Sequence, residues 1–125
     1  MTQDGRFTEV ADILYRRWVR AARRGDLALQ RVIRQMAVET GPEGFIRQQT
    51  AIVSRPDSRA GLAAIGCPVL VVAGADDDIT TPDRAAEIAG HIPRARLVVV
   101  PDCGHLSTLE QPAAVTQALV GWLTQ

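Results

Sequence analysis

Pro68-Val-Leu-Val-Val-Ala-Gly-Ala-Asp-Asp-Asp-Ile-Thr-Thr-Pro82, followed by Leu97-Val-Val-Val-Pro-Asp-Cys-Gly-His-Leu106, decides how the rest of the chain is read. Val69–Ala73 is an unbroken apolar run between Pro68 and Gly74, and Leu97–Val100 is a second. Short apolar runs of this kind suit strands buried on both faces, as in a parallel sheet. Pro82 opens a helix running to about His91, with Ala85, Ile88 and Ala89 on its apolar side, and Ile92-Pro93 closes it. A strand, a helix of this length and a second strand imply a parallel pair joined by a right-handed crossover.

In open parallel sheets reactive groups gather beyond the carboxyl ends of the strands. Two loops lie there: Gly74–Pro82, with consecutive carboxylates Asp76, Asp77 and Asp78, and Asp102-Cys-Gly-His105. A carboxylate that fixes an imidazole tautomer and a histidine that shuttles a proton need such adjacency. Each residue also has a plain structural reading. An aspartate in a strand–helix loop caps or turns the chain, a histidine at a strand end can be merely exposed, and Asp83 offsets a helix dipole. The order, acid loop then histidine loop, is more specific than either part, because it is the order in hydrolases with a nucleophile elbow.

Working outward, Phe7, Val10, Leu14, Trp18 and Ala21 recur at intervals of three and four, which predicts an amphipathic helix ending near Gly25. Asp26 can cap a second helix with Leu29, Val32, Ile33 and Met36 on its apolar side. Gly41-Pro42 breaks the chain, and Pro42 suits the first turn of a third helix with Phe45, Ile46, Gln49, Ile52 and Val53 on one side. Ser54–Ser58 is a turn and Arg59–Ile65 a short helical stretch. Glu110-Gln111-Pro112 starts a last helix, where Val115, Leu119, Trp122 and Leu123 share a face. The expected division is a helical segment, 1–60, and an α/β segment, 61–125.

Composition narrows the function classes. An apolar content of 46% is too high for disorder. No apolar run approaches the ~18–20 residues of a membrane span, and no signal-peptide core is visible, so no membrane partner is expected. The formal charge is zero but uneven: residues 1–60 hold eleven arginines and seven acids, residues 61–125 three arginines and seven acids, and there is no lysine. Arg16, Arg17, Arg20, Arg23 and Arg24 read as the solvated face of a helix rather than a nucleic-acid patch, since no aromatic interleaving or binding motif accompanies them. Cys67 and Cys103 form no Cys-x-x-Cys pair and have no ligand-like histidine spacing, which fits reduced thiols in a cytoplasmic protein.

The set Pro68-x-Leu-Val-x-x-Gly-x-x-Asp77-x-x-x-x-Pro82, then Ile92-Pro-x-Ala-x-Leu, Gly104-His105-Leu and Glu110-x-Pro112, resembles the C-terminal end of the α/β-hydrolase fold family. The likeness covers about residues 60–124. It implies an α/β architecture in which Val69–Ala73 and Leu97–Val100 are the last two core strands, flanked by helices. It implies that Asp77 is the triad acid, with Asp76 a turn former and Asp78 a helix-side residue, and that His105 is the general base. It further implies a helical cap over residues 6–40, with 42–55 leading back to the core. Trp18, Met36 and Phe45 are candidate linings of an acyl pocket, although core packing accounts for each of them as well. The Gly104–Pro112 tail is similar to those of lactone and ester hydrolases such as 3-oxoadipate enol-lactonases. The implied substrate is a small ester, thioester or lactone, with no cofactor and no metal.

One departure stands out. The family's nucleophile sits in Gly-x-Ser-x-Gly, and Ser54, Ser58 and Ser107 have no flanking glycines. Cys67 precedes its strand, and Cys103 lies two residues from His105 on the same loop, poor geometry for a nucleophile and its base. The expectation is a truncated member that carries the acid and the histidine without the nucleophile or the oxyanion hole. The alternative is a non-catalytic protein of the same descent that pairs with another chain. Two strands alone also leave open edges, so a marginal fold or a homodimer formed strand to strand is expected.

Overall fold

The computed structural model describes residues 4–124. Six α-helices and one two-stranded parallel sheet follow in the order α1 (Asp4–Trp18), α2 (Leu27–Ser54), α3 (Arg59–Leu62), β1 (Val69–Gly74), α4 (Pro82–His91), β2 (Ala95–Val100), α5 (Ser107–Glu110) and α6 (Pro112–Leu123), with a 3₁₀ turn at Ala21–Arg23 after α1. The strands pair in register from Val69 with Ala95 to Gly74 with Val100. Both therefore end at the same level, and the loops that follow them start side by side.

Helix α1 stops earlier than its periodicity predicts. The periodic residues run on to Ala21, but Arg20 is extended, with φ −58° and ψ 151°. Tertiary bonds take over there: the Trp18 carbonyl accepts from Leu106 N at 3.1 Å, and Arg20 N donates to the Glu110 carboxylate at 2.9 Å. The chain then turns back at Asp26, whose side chain caps α2 by accepting from the N–H groups of Ala28 and Leu29. The second and third expected helices run end to end as α2, with a kink at Gly41 (φ 68°, ψ 166°). Glycine takes this left-handed φ without a Cβ penalty, and Pro42 keeps its predecessor out of the helical region.

Helices α1 and α2 form a hairpin around Tyr15, Val19, Leu29 and Ile33, with Trp18, Leu106 and Leu109 packed alongside. The Tyr15 hydroxyl lies 2.9 Å from Arg23 O and 3.1 Å from Asp26 O, tying the helix to the turn. A bidentate Arg34–Asp12 pair links the two helices at the surface. A second core, Val100, Cys103 and Val115 with Val72, Val98 and Ala114, joins the sheet to α6.

The strands are not buried on both faces. Only Ala73 and Gly74 of β1 and Val100 of β2 are buried; the other strand residues are half-buried, except the exposed Arg96 and Val99. Helices α4 and α6 cover part of the sheet, and no third strand pairs with it among the described residues. Continuous apolar runs signal a strand with two covered faces, and here the covering is incomplete. No helix among the described residues is long and apolar enough to cross a membrane.

Candidate active site

The backbone brings the two strand-end loops together before any side chain does. Ala75 N donates to Val100 O at 2.9 Å and Asp76 N to Cys103 O at 2.8 Å. Gly74 makes the contact possible, since a Cβ there would lie 2.1 Å from Gly104 O; a Cβ on Gly104 would instead lie 2.6 Å from Arg20 N, just past the end of α1.

Of the three consecutive aspartates, only Asp77 is buried, at 5% exposure. One oxygen, Oδ1, accepts from the N–H groups of Ile79 at 2.8 Å and Thr80 at 3.0 Å. The other, Oδ2, accepts from Thr80 Oγ1 at 2.7 Å and faces His105 Nδ1 at 2.9 Å. Nδ1 also lies 3.2 Å from Thr80 Oγ1. A carboxylate can only accept, so this contact places the neutral ring's proton on Nδ1 and leaves the Nε2 lone pair free. Nε2 has no hydrogen-bond partner among the described residues. Asp76 and Asp78 are exposed. Asp76 turns away to pair with Arg20, as does Asp102 from the histidine loop. Asp102 has a left-handed backbone, φ 54°, a conformation aspartate tolerates better than most residues.

Asp77 is held below the usual carboxylate range. Burial pushes it up, but the hydrogen bonds from His105, the Thr80 hydroxyl and the two backbone N–H groups together outweigh that. Its folded value thus lies below the ordinary unfolded value of ~3.9, so its contribution to stability is complete above about pH 5 and is lost as pH falls through the folded value. The urea midpoint is expected to drop on acidification below about pH 4, and less steeply in Asp77→Asn. Identical acid limbs in the two proteins would remove Asp77 as a source of the acid sensitivity.

His105 lies on the wall of a half-open cavity of about 560 Å³ lined mostly by α1 and α2, with Phe7, Leu14, Trp18, Met36 and Phe45 among its apolar residues. Phe7 and Phe45 meet edge to face, ring centres 5.6 Å apart. Trp18, Met36 and Phe45, for which packing in the core was the competing reading, all face this cavity. Ser107 begins α5. Both cysteines are free, Cys67 exposed and Cys103 buried. Burial chiefly, with the nearby carboxylates, raises the Cys103 thiol to about 11, so it stays protonated at neutral pH and is a poor nucleophile. No cluster of three or more metal-ligating side chains occurs among the described residues.

Four residues around the pair were given no part in the site from sequence: Thr80, Glu110, Arg20 and Arg23. Thr80 bridges Asp77 and His105. Glu110, 3% exposed, accepts from Gly104 N at 3.0 Å and Arg20 N at 2.9 Å. Arg20 and Arg23, read as part of a solvated face, are half-buried and paired: Arg20 reaches Asp76 and Asp102, and Arg23 donates to Glu110 O at 2.8 Å and pairs with Asp26. The signal for Thr80 was its place three residues after Asp77, where the two oxygens of an aspartate can accept from the N–H and the hydroxyl.

An acid loop and a histidine loop at the ends of paired parallel strands, beneath a helical hairpin, define the class of this fold. A profile of the alpha/beta hydrolase family matches residues 3–118, and the chain belongs to that family. It is 31% identical over 100 residues to 3-oxoadipate enol-lactonase 1 of Acinetobacter baylyi, a match spanning 80% of this chain and 36% of that protein. Among solved structures, a thermophilic esterase from Thermogutta terrifontis superposes with a TM-score of 0.84 at 36% identity, covering 92% of this chain and 43% of the esterase. The enol-lactonase from Burkholderia xenovorans LB400 does so with 0.85 at 31% identity, covering 95% and 45%. The chain thus spans less than half the length of each of these relatives.

Proposed function

We propose that Asp77 and His105 are the acid and the general base of a serine-type hydrolase acting on a carboxylic ester, thioester or lactone, and that the nucleophile comes from a part of the fold outside these 125 residues. The observation that carries this reading is the 2.9 Å Asp77–His105 contact with Nε2 left free on the wall of an apolar cavity. The esterase and lactonase relatives support the substrate class.

In this reading Nε2 takes the serine proton as the serine oxygen attacks the acyl carbonyl. As the acyl C–O or C–S bond breaks, the imidazolium gives that proton to the leaving alkoxide oxygen or thiolate sulfur. In the second half, Nε2 takes a proton from water, whose oxygen attacks the acyl-enzyme, and the proton goes back to serine. Asp77 holds the ring in the correct tautomer and stabilises the imidazolium throughout. The cavity between α1 and α2 receives the apolar part of the substrate.

The alternative, a pairing protein without catalysis of its own, is favoured by the absence of Gly-x-Ser-x-Gly from the sequence. An assay of the chain alone with p-nitrophenyl butyrate tests where the nucleophile lies and whether His105 is the base. No serine-dependent turnover is expected. A rate abolished by Ser54→Ala, Ser58→Ala or Ser107→Ala would place the nucleophile inside this sequence, and turnover that survives His105→Ala would end the role given to His105.

A further inference from the structure

Glu110 carries its carboxylate into the interior with no ion-pair partner among the described residues. A buried carboxylate is costly unless its oxygens are hydrogen-bonded. Here each oxygen takes one backbone N–H: Oε1 that of Gly104, the residue before His105, and Oε2 that of Arg20, just past the end of α1. Arg20 completes the circuit with its guanidinium. Its Nε meets Asp76 Oδ2 at 3.0 Å, one residue before Asp77, and its Nη1 meets Asp102 Oδ1 at 2.8 Å, three residues before His105. The histidine loop, Glu110, Arg20 and the acid loop are therefore tied in a ring around the Asp77–His105 contact, and neither Glu110 nor Arg20 touches that contact.

We propose that Glu110 and Arg20 are positioning residues that act as one clasp, fixing the distance between Asp77 and His105 and holding the α1–α2 hairpin over the imidazole. This rests on the reading of Asp77 and His105 as the reactive pair. An apolar side chain at position 110 could fill the same volume, but it could not hold two N–H groups from different segments in fixed register. The clasp also has little slack, since a Cβ on Gly104 would lie 2.8 Å from Glu110 Oε1.

The test reads the His105 Nδ1 proton by NMR, through its rate of exchange with water, in the full chain and in single variants. Glu110→Gln keeps the volume but turns an amide NH₂ toward one of the two N–H donors. Arg20→Gln removes both ion pairs. Each is expected to speed exchange about tenfold, the equivalent of weakening one hydrogen bond, while the far-UV circular dichroism stays unchanged. Arg20→Lys, which keeps one charged contact, is expected to fall between wild type and Arg20→Gln. Should Glu110→Gln fail to fold, Arg20→Gln decides alone, since the Arg20 side chain is partly exposed and its loss leaves both cores intact. A proton lost in Asp77→Asn but unmoved in the folded clasp variants overturns the clasp and leaves the pair standing. A proton that Asp77→Asn leaves unaltered overturns the pair, and the clasp with it.

Discussion

Gly74→Ala is expected to lower stability by about 3 kcal/mol or more, at the upper end of the cost of overpacking. The added Cβ would sit 2.1 Å from Gly104 O, 2.4 Å from Cys103 O and 2.8 Å from Cys103 C. All three are backbone atoms, so no side-chain rotation relieves the clash. The chain must either part the two loops or lose the bonds from Ala75 N to Val100 O and from Asp76 N to Cys103 O. Parting the loops separates Asp77 from His105, so the damage reaches the site even where the fold survives. Urea denaturation measures the first effect. A midpoint equal to that of wild type would show that the two loops are not pressed together as described.

The second large effect is expected from Tyr15→Ala, which should cost about 3–5 kcal/mol, as for other large aromatic residues deleted from a core. Tyr15 is 2% exposed at the centre of the α1–α2 hairpin. Its hydroxyl also supports the turn at Arg23 and Asp26, where α1 hands over to α2. Tyr15→Phe keeps the ring and loses only that polar contact, so a loss of about 1 kcal/mol is expected. The two variants together separate packing from hydrogen bonding. Equal losses would mean that the hydroxyl, not the ring, holds the hairpin.

Much of this architecture was legible because it is written in local chemistry. The first strand follows from the apolar run between Pro68 and Gly74 and the second from Leu97–Val100, which the structure extends back to Ala95. Asp26 announced the start of α2, and Pro82 that of α4. What was not legible depends on residues far apart in the chain. Helix α1 ends at Trp18 because Leu106 and Glu110, nearly ninety positions on, take up its last carbonyl and the Arg20 amide. Arg20 and Arg23 look like ordinary surface cations in a periodic helix, and nothing local says that they bind the acid loop, the histidine loop and Glu110. Helical periodicity likewise does not distinguish a filled core from a cavity wall, which is why Trp18, Met36 and Phe45 were read both ways. The apolar runs also overstated how completely the sheet is covered.

The site divides in the same way. The order of the acid and histidine loops was visible, and parallel pairing brings Asp77 and His105 within 2.9 Å across 28 positions. The preference for Asp77 over its neighbours came from the family resemblance. In the structure Asp77 alone of the three aspartates is buried and reaches the imidazole. Glu110 and Arg20 needed three-dimensional structure, since each acts through bonds between distant segments, whereas Thr80 carried a local signal in its place three residues after Asp77.

The central claim is that Asp77 fixes His105 with its proton on Nδ1 and its Nε2 lone pair free for proton transfer. Long-range ¹H–¹⁵N correlation of the full chain at about pH 8, where an ordinary imidazole is neutral, reads this tautomer directly. His91, whose Nδ1 lies 2.7 Å from Glu87 O, serves as an internal reference. The expected result is a His105 ring protonated on Nδ1 in wild type, changed by Asp77→Asn while His91 stays the same. A His105 ring protonated on Nε2, or one indifferent to Asp77→Asn, would contradict the account.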